Sequence, residues 1–210
     1  MQWTLVIPLK PLVRAKSRLA PAAGALRPGL ALAFAQDTVA AARACAAVRD
    51  VVVVTDDARA GRELAALGAR IVADTPQAGL NAALAHGAAA VRSLRPAASL
   101  AALNADLPAL RPAELARVLA AATAFPRAFL PDAAGIGTTL LSAAPGTELL
   151  PAFGAASRAR HTASGATELP LDGVDSVRQD VDTGDDLRAA LALGVGPYTA
   201  KATAGLLTVD

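Results

Sequence analysis

The stretch VVVVTDDARAGRELAALGARIVA, residues 51–73, decides the fold class. Val51 to Val54 followed by Thr55 is a run of β-branched residues with no polar face, the pattern of a strand buried on both sides. From Ala58 to Leu67 the spacing becomes helical, and Gly68 stands just past the end, where a helix most readily ends on glycine. Ala69 to Ala73 returns to strand composition. Working outward, Thr4 to Leu9, Ser99 to Leu103 and Ala128 to Leu130 read as further strands. Pro28 to Ala46, Leu80 to Leu94 and Pro112 to Ala122 carry helical spacing, with Pro112 suited to a first helical turn. Strands alternating with helices in this way predict an α/β fold: a mixed, mainly parallel sheet sandwiched by helices.

Beyond Pro131 the rhythm changes. Glycine and proline become denser, and only Ala155 to Ser164 and Thr183 to Leu193 keep helical spacing. Thr183 with Asp186 three positions on resembles a capping arrangement at the start of the last of these helices. No internal repeat is present. A chain of 210 residues suits one generous domain, or at most a domain with a subdomain, and 1–210 is taken as a single unit.

Composition narrows the function classes. Apolar residues make up 54% of the chain, much of it alanine, which argues against disorder. Aromatics are only 3%, too few for base-stacking platforms, so no nucleic-acid partner is expected. Charge is uneven although the formal net is only +2: Lys10, Arg14, Lys16, Arg18 and Arg27 precede the first acid, Asp37, and Asp172, Asp175, Asp180, Asp182, Asp185 and Asp186 crowd the far end. The two charged ends are either separate solvated surfaces or the two halves of a polyphosphate and metal site. The one cysteine, Cys45, excludes an internal disulfide and a cysteine metal cluster. The N-terminus has no secretory pattern, and charge interrupts every apolar run before spanning length, so a cytoplasmic protein with no membrane partner is expected.

Ligands of open α/β sheets bind beyond the carboxyl ends of the strands, and several segments there carry suitable chemistry. Ile7-Pro8-Leu9-Lys10, with Lys16-Ser17-Arg18 following, places three cations after the first strand, as a triphosphate requires; an exposed basic loop is the alternative. It is not a P-loop, because the glycine run is missing. Asn104-Ala105-Asp106-Leu107-Pro108 sets an aspartate at the end of a central strand, suited to Mg²⁺ or to a simple turn. In Asp180-Val181-Asp182-Thr183 an extended backbone puts both carboxylates on one side, about 7 Å apart, and Thr183 alone suffices as the cap. Gly79-Leu80-Asn81 opens a helix, where main-chain N–H groups favour anions or base edges and an asparagine cap is the plainer role. Gly137-Thr138-Thr139 and Phe153-Gly154-Ala155-Ala156-Ser157 are either ordinary turns or a clasp for a second phosphate. His86 and His161 read as packing or surface residues.

Taken in order, these segments, with Asp37-Thr38, Val53-Val54-Thr55-Asp56-Asp57, Gly137-Thr138-Thr139-Leu140-Leu141 and Leu193-Gly194, resemble the guanylyltransferases that activate phosphoenolpyruvate or 2-phospho-L-lactate in deazaflavin coenzyme F-420 biosynthesis. A more distant resemblance runs to the molybdenum-cofactor nucleotidyltransferases, whose glycine-rich opening loop is here Ile7-Pro8-Leu9-Lys10-Pro11. The resemblance implies a GT-A-like nucleotidyltransferase fold, GTP as donor and Mg²⁺ on Asp106 and Asp182, with Asp180 a further candidate ligand. It implies Lys10, Lys16 and Arg18 as catalytic and nucleotide-binding cations, Gly79 and Asn81 near the base, and Thr138, Gly154 and Ser157 on phosphoenolpyruvate, with Thr139 an alternative to Thr138. The activated product would pass to a downstream transferase. Two other readings stand beside it: 2-phospho-L-lactate as acceptor, and a nucleotide-binding regulatory protein without turnover.

Overall fold

The computed structural model describes residues 2–19 and 23–204. Seven strands, β1 (Trp3–Pro8), β2 (Val48–Val54), β3 (Arg70–Val72), β4 (Ser99–Leu103), β5 (Arg127–Pro131), β6 (Thr138–Ala143) and β7 (Thr167–Glu168), form one sheet in the order β3-β2-β1-β4-β6-β5-β7. β6 runs antiparallel to its neighbours β4 and β5, and the remaining adjacent pairs are parallel. The helices are α1 (Arg27–Ala44), α2 (Ala58–Ala66), α3 (Leu80–Leu94), α4 (Pro112–Ala122), α5 (Ser157–Ala163), α6 (Asp175–Arg178), α7 (Gly184–Leu193) and α8 (Pro197–Thr203).

The valine run is apolar throughout because both of its faces are covered. Val51 and Val53 pack with Leu5 and Ile7 beneath α1, α2 and α4, whereas Val52 and Val54 pack with Val6 beneath α3. A Cβ on Gly87 of α3 would lie 2.6 Å from both Val6 Cγ1 and Val54 Cγ2, so glycine is what lets this helix approach the central strands. A third, smaller cluster gathers Leu19, Ala109, Val181 and Leu187 against Leu30 and Phe34 of α1. Three of these adjoin charged residues singled out above: Leu19 beside Arg18, Ala109 after Asp106, Val181 between Asp180 and Asp182. Burying them together draws three charged segments to one place.

β4, α3 and α4 have the bounds expected from the sequence, and Thr183 with Asp186 forms a full capping box: Thr183 N–H donates to Asp186 Oδ2 at 2.8 Å and Asp186 N–H to Thr183 Oγ1 at 3.3 Å. Other expectations shift. α5 starts at Ser157 instead of Ala155, because Gly154 (φ +113°) and Ala156 (φ +52°) have left-handed backbone. The shorter strands beyond Pro131 had no expected bounds and are β6 and β7, while α6 and α8 were not expected. β6 follows directly on glycines that read as a turn. The first turn of α8 is capped from α1, Tyr198 and Thr199 N–H donating to Asp37 at 3.1 and 2.7 Å, a partner with no local trace in the sequence. Burial raises the Asp37 carboxyl above its ordinary value despite these donors. Among the described residues no helix is long and apolar enough to cross a membrane.

Candidate active site

β1 lies between β2 and β4, and the connections leaving β1 and β4 run toward opposite edges of the sheet, α1 to β2 and α4 to β5. The basic loop issues from β1 and is tied down from two directions. Leu12 N–H donates to Asp57 Oδ2 at 2.9 Å, while Asp57 Oδ1 caps α2 through Arg59 and Ala60 N–H at 3.1 and 3.0 Å. Burial acts against the Asp57 carboxylate, yet these donors hold its pKa below the ordinary value. The Arg27 guanidinium bonds the Ala15 carbonyl and, at 3.0 Å, the Val13 carbonyl. Lys16 sits in this loop with left-handed backbone, φ +55°.

Asp106 follows β4, and Thr38 of α1 holds the chain on both sides of it. Its hydroxyl oxygen accepts from Leu107 N–H at 3.0 Å and lies 3.2 Å from the Ala105 carbonyl and 2.8 Å from that of Phe34. Val181 N–H donates to the Asp106 carbonyl at 3.1 Å, docking the Asp180–Asp182 segment here as well.

The side chains then meet. Lys16 Nζ pairs with Asp106 Oδ2 and lies 2.9 Å from Asp182 Oδ1; the exposed Arg18 guanidinium pairs with the other Asp182 oxygen. Burial alone would lower the Lys16 pKa, but the two carboxylates overcome it and raise the ammonium above its ordinary value. Burial pushes Asp182 up, and Lys16, Arg18 and then Lys10 pull it below the usual range, so Lys10, itself exposed, belongs to the same field. Asp180 goes the other way. Burial, followed by Asp106 and Asp182, pushes its carboxyl up to about 8, and its neutral partner is Asn104 Nδ2 at 3.4 Å. The structure thus brings Lys16, Arg18, Asp106, Asp180 and Asp182 together.

The donor set suits a hard divalent cation. Asp106 Oδ1 is buried without a hydrogen-bond partner, an acceptor that a cation would satisfy. The ammonium between Asp106 and Asp182 already marks that place as one where positive charge is favoured. Among the described residues no three or more His, Cys, Asp or Glu side chains form a complete metal cage, so further ligands would be water or phosphate oxygen, as Mg²⁺ commonly has.

A second group lies at the adjoining edge. Asn104 N–H donates to the Thr139 carbonyl at 3.0 Å, which puts the start of β6 beside the end of β4. Here Leu130 pairs with Leu140 but Pro131 with Thr138, so β6 carries one extra residue. This bulge re-aims Thr138 away from the face that Leu140 serves. Its hydroxyl meets His161 Nδ1 of α5 at 2.9 Å, while Thr139 Oγ1 is fully buried with no partner. Ser157 begins α5, and its N–H donates to the Gly154 carbonyl at 3.1 Å, so Thr138, Gly154 and Ser157 gather around one short helix. Asn81, on α3, is tied to the same loop: Phe153 N–H donates to Asn81 Oδ1 at 2.8 Å and Asn81 Nδ2 to the Phe153 carbonyl at 3.1 Å. Its carboxamide therefore serves the loop first. Gly79 is exposed, with φ +95° and open space where a Cβ would stand.

Two residues passed over in the sequence matter here. His161, read as packing or surface, is wholly buried and bonded through both ring nitrogens. Its spacing four residues after Ser157 put the two on one helical face, and that was the available signal. Thr38 carried none beyond the resemblance. A cleft of about 490 Å³ at the amino ends of β1 and β4, lined by residues including Thr4, Arg95 and Ser99, contains none of these groups.

The fold is that of a nucleotidyltransferase. Residues 29–169 match the MobA-like NTP transferase domain. The phosphoenolpyruvate guanylyltransferases of Streptomyces coelicolor and Streptomyces avermitilis are 79% and 80% identical to this chain, each over 99% of it and over 98% and 96% of the relative. The fold is also that of a Desulfovibrio desulfuricans protein described as a candidate nucleotide-diphospho-sugar transferase, with a TM-score of 0.69, 15% identity, and coverage of 99% of this chain and 97% of that one. The chain belongs to the phosphoenolpyruvate guanylyltransferase family.

Proposed function

We propose that the protein transfers GMP from GTP to phosphoenolpyruvate, giving enolpyruvyl-2-diphospho-5'-guanosine and pyrophosphate. The observation that carries this reading is the Lys16 ammonium between Asp106 and Asp182, with Arg18 on the outer carboxylate, at the carboxyl ends of β1 and β4. Together with the family, it supports a site where a polyphosphate and a cation are handled side by side.

Asp106 and Asp182 would hold Mg²⁺, with Asp180 within the same field. When bound, the ion would supply charge neutralisation to the triphosphate. Lys10, Lys16 and Arg18 supply the remaining positive charge, meeting the oxygens of the leaving pyrophosphate. An oxygen of the acceptor phosphate bonds to the α-phosphorus of GTP as the bond to the β-phosphate oxygen breaks, and pyrophosphate leaves with that electron pair. Because the attacking oxygen is already ionised near neutral pH, the residues have no proton to remove. Their work is orientation and charge. Thr138, the Gly154 main chain and Ser157 would hold the acceptor, and Gly79 with the start of α3 would lie near the guanine. The product, a mixed anhydride, suits a downstream transferase that displaces GMP, as the resemblance to coenzyme F-420 enzymes implies.

The test is incubation with GTP, Mg²⁺ and either phosphoenolpyruvate or 2-phospho-L-lactate, following pyrophosphate release. Release with phosphoenolpyruvate in preference to 2-phospho-L-lactate is expected. Preference for the lactate would move the assignment to the alternative acceptor, and GTP binding with no release from either acid would leave the regulatory reading.

A further inference from the structure

His161 takes no part in the chemistry above, yet it is fully buried, its ring flanked by Phe129 and Phe153 with centroids 5.7 and 5.0 Å away. Each ring nitrogen has one partner. Ala152 N–H lies 3.0 Å from Nε2, and Thr138 Oγ1 lies 2.9 Å from Nδ1. An amide N–H can only donate, so Nε2 must present its lone pair. The neutral ring then carries its proton on Nδ1, and that N–H donates to Thr138 Oγ1. Burial first, and then the Arg127 and Arg160 guanidinium groups, hold the ring neutral, with a pKa of about 4.

The consequence falls on Thr138. A hydroxyl whose oxygen is taken by an N–H donor has its own proton to give, and among the described residues no other partner of this hydroxyl lies within hydrogen-bonding distance. Phosphate and carboxylate oxygens at neutral pH only accept. Threonine hydroxyls without such a donor turn their proton to a carbonyl, as Thr38 and Thr203 do toward the preceding turn of their helices. The ring is itself held in register: the paired hydrogen bonds between Asn81 and Phe153 fix the segment from which Ala152 N–H reaches Nε2.

We infer that His161 is a positioning residue that locks the Thr138 hydroxyl as a one-way donor toward the anionic acceptor substrate. The inference rests on Thr138 being an acceptor contact, as proposed above.

Two measurements test it. The first needs no variant at position 161. In a His86→Gln protein, which retains one histidine, ¹⁵N-labelled imidazole spectra should find the proton on Nδ1; a proton on Nε2 overturns the inference. The second is kinetic. His161→Phe, which keeps an aromatic ring and loses both nitrogens, should raise KM for phosphoenolpyruvate about tenfold while KM for GTP stays within about twofold. His161→Asn, whose amide can donate from near the Nδ1 position, should recover most of that loss. Thr138→Val combined with His161→Phe should be no worse than Thr138→Val alone. An unchanged KM for phosphoenolpyruvate in an active His161→Phe protein, or additive losses in the double variant, overturns the positioning role alone. Wild-type protein that releases no pyrophosphate with phosphoenolpyruvate and GTP removes the acceptor reading and this inference with it.

Discussion

Lys16 Nζ lies 2.9 Å from Asp182 Oδ1, joining the loop after β1 to the segment that leads into α7. The same ammonium meets Asp106 at the end of β4. A cation of the chain therefore holds together two acids that would otherwise repel each other in a largely buried setting. Any metal taken up by these acids must share them with Lys16 or displace it.

Lys16→Met removes that charge and keeps the length of the stem. In the absence of nucleotide the variant should bind Mn²⁺ or Mg²⁺ several-fold more tightly, because the metal no longer competes with an ammonium for the carboxylates. Turnover should nevertheless fall about a hundredfold, since a cation facing the triphosphate is lost. Thermal-shift titration with each metal and pyrophosphate release report the two effects separately. Metal affinity equal to that of the wild type would mean that ammonium and metal occupy different places.

Asp106→Asn is expected to abolish measurable turnover, by about a thousandfold or more, with little loss of fold. The substitution keeps shape while removing a charge whose Oδ1 has no hydrogen-bond partner in the structure. Near-wild-type pyrophosphate release, with circular dichroism unchanged, would take Asp106 out of the proposed metal site.

The parts of this site differ in how far they could be read in advance. Val51 to Val54 and Leu80 to Leu94 declare themselves by local periodicity, so the parallel half of the sheet and its helices were legible. β6 was not, because the glycines before Thr138 read as a turn and its partners β4 and β5 are distant in sequence. Lys16, Asp106 and Asp182 were visible as residue types in suitable positions. What brings them together, the burial of Leu19, Ala109 and Val181 in one small cluster, is a tertiary fact with no local periodicity. His161 packs as expected, against Phe129 and Phe153, but its bond to Thr138 was not legible: a lone histidine on a short helix gains that partner only when a bulge in β6 turns Thr138 toward it.

Thr38→Val tests how firmly Asp106 is held. The side chains are nearly isosteric, so packing is retained, but Leu107 N–H loses its acceptor. An unpaired buried N–H costs about 1–3 kcal/mol, which urea unfolding should detect. Because Leu107 follows Asp106 directly, kcat should fall while KM for GTP changes little. Lower stability with unchanged kcat would mean that the loop keeps its geometry without this tether.

The pH dependence of stability should carry the mark of His161. Its pKa in the folded protein is about 4, against an ordinary value of 6.5. The unfolded chain takes up a proton as pH drops below that ordinary value, and the folded protein does not until pH nears 4. Proton uptake by the unfolded state alone favours unfolding, so the contribution is fully present above pH 6.5, shrinks between 6.5 and 4, and levels off below. The whole swing is on the order of 3 kcal/mol. The raised carboxyls of Asp37 and Asp180 also make stability depend on pH, so the quantity to measure is the difference between wild type and His161→Phe. Urea unfolding at intervals from pH 7 to pH 4 should give wild type a steeper loss than the variant, and the two curves should run parallel above pH 7. Equal slopes through the window would mean that the folded imidazole accepts a proton as readily as the free side chain, contrary to its burial beside Arg127 and Arg160.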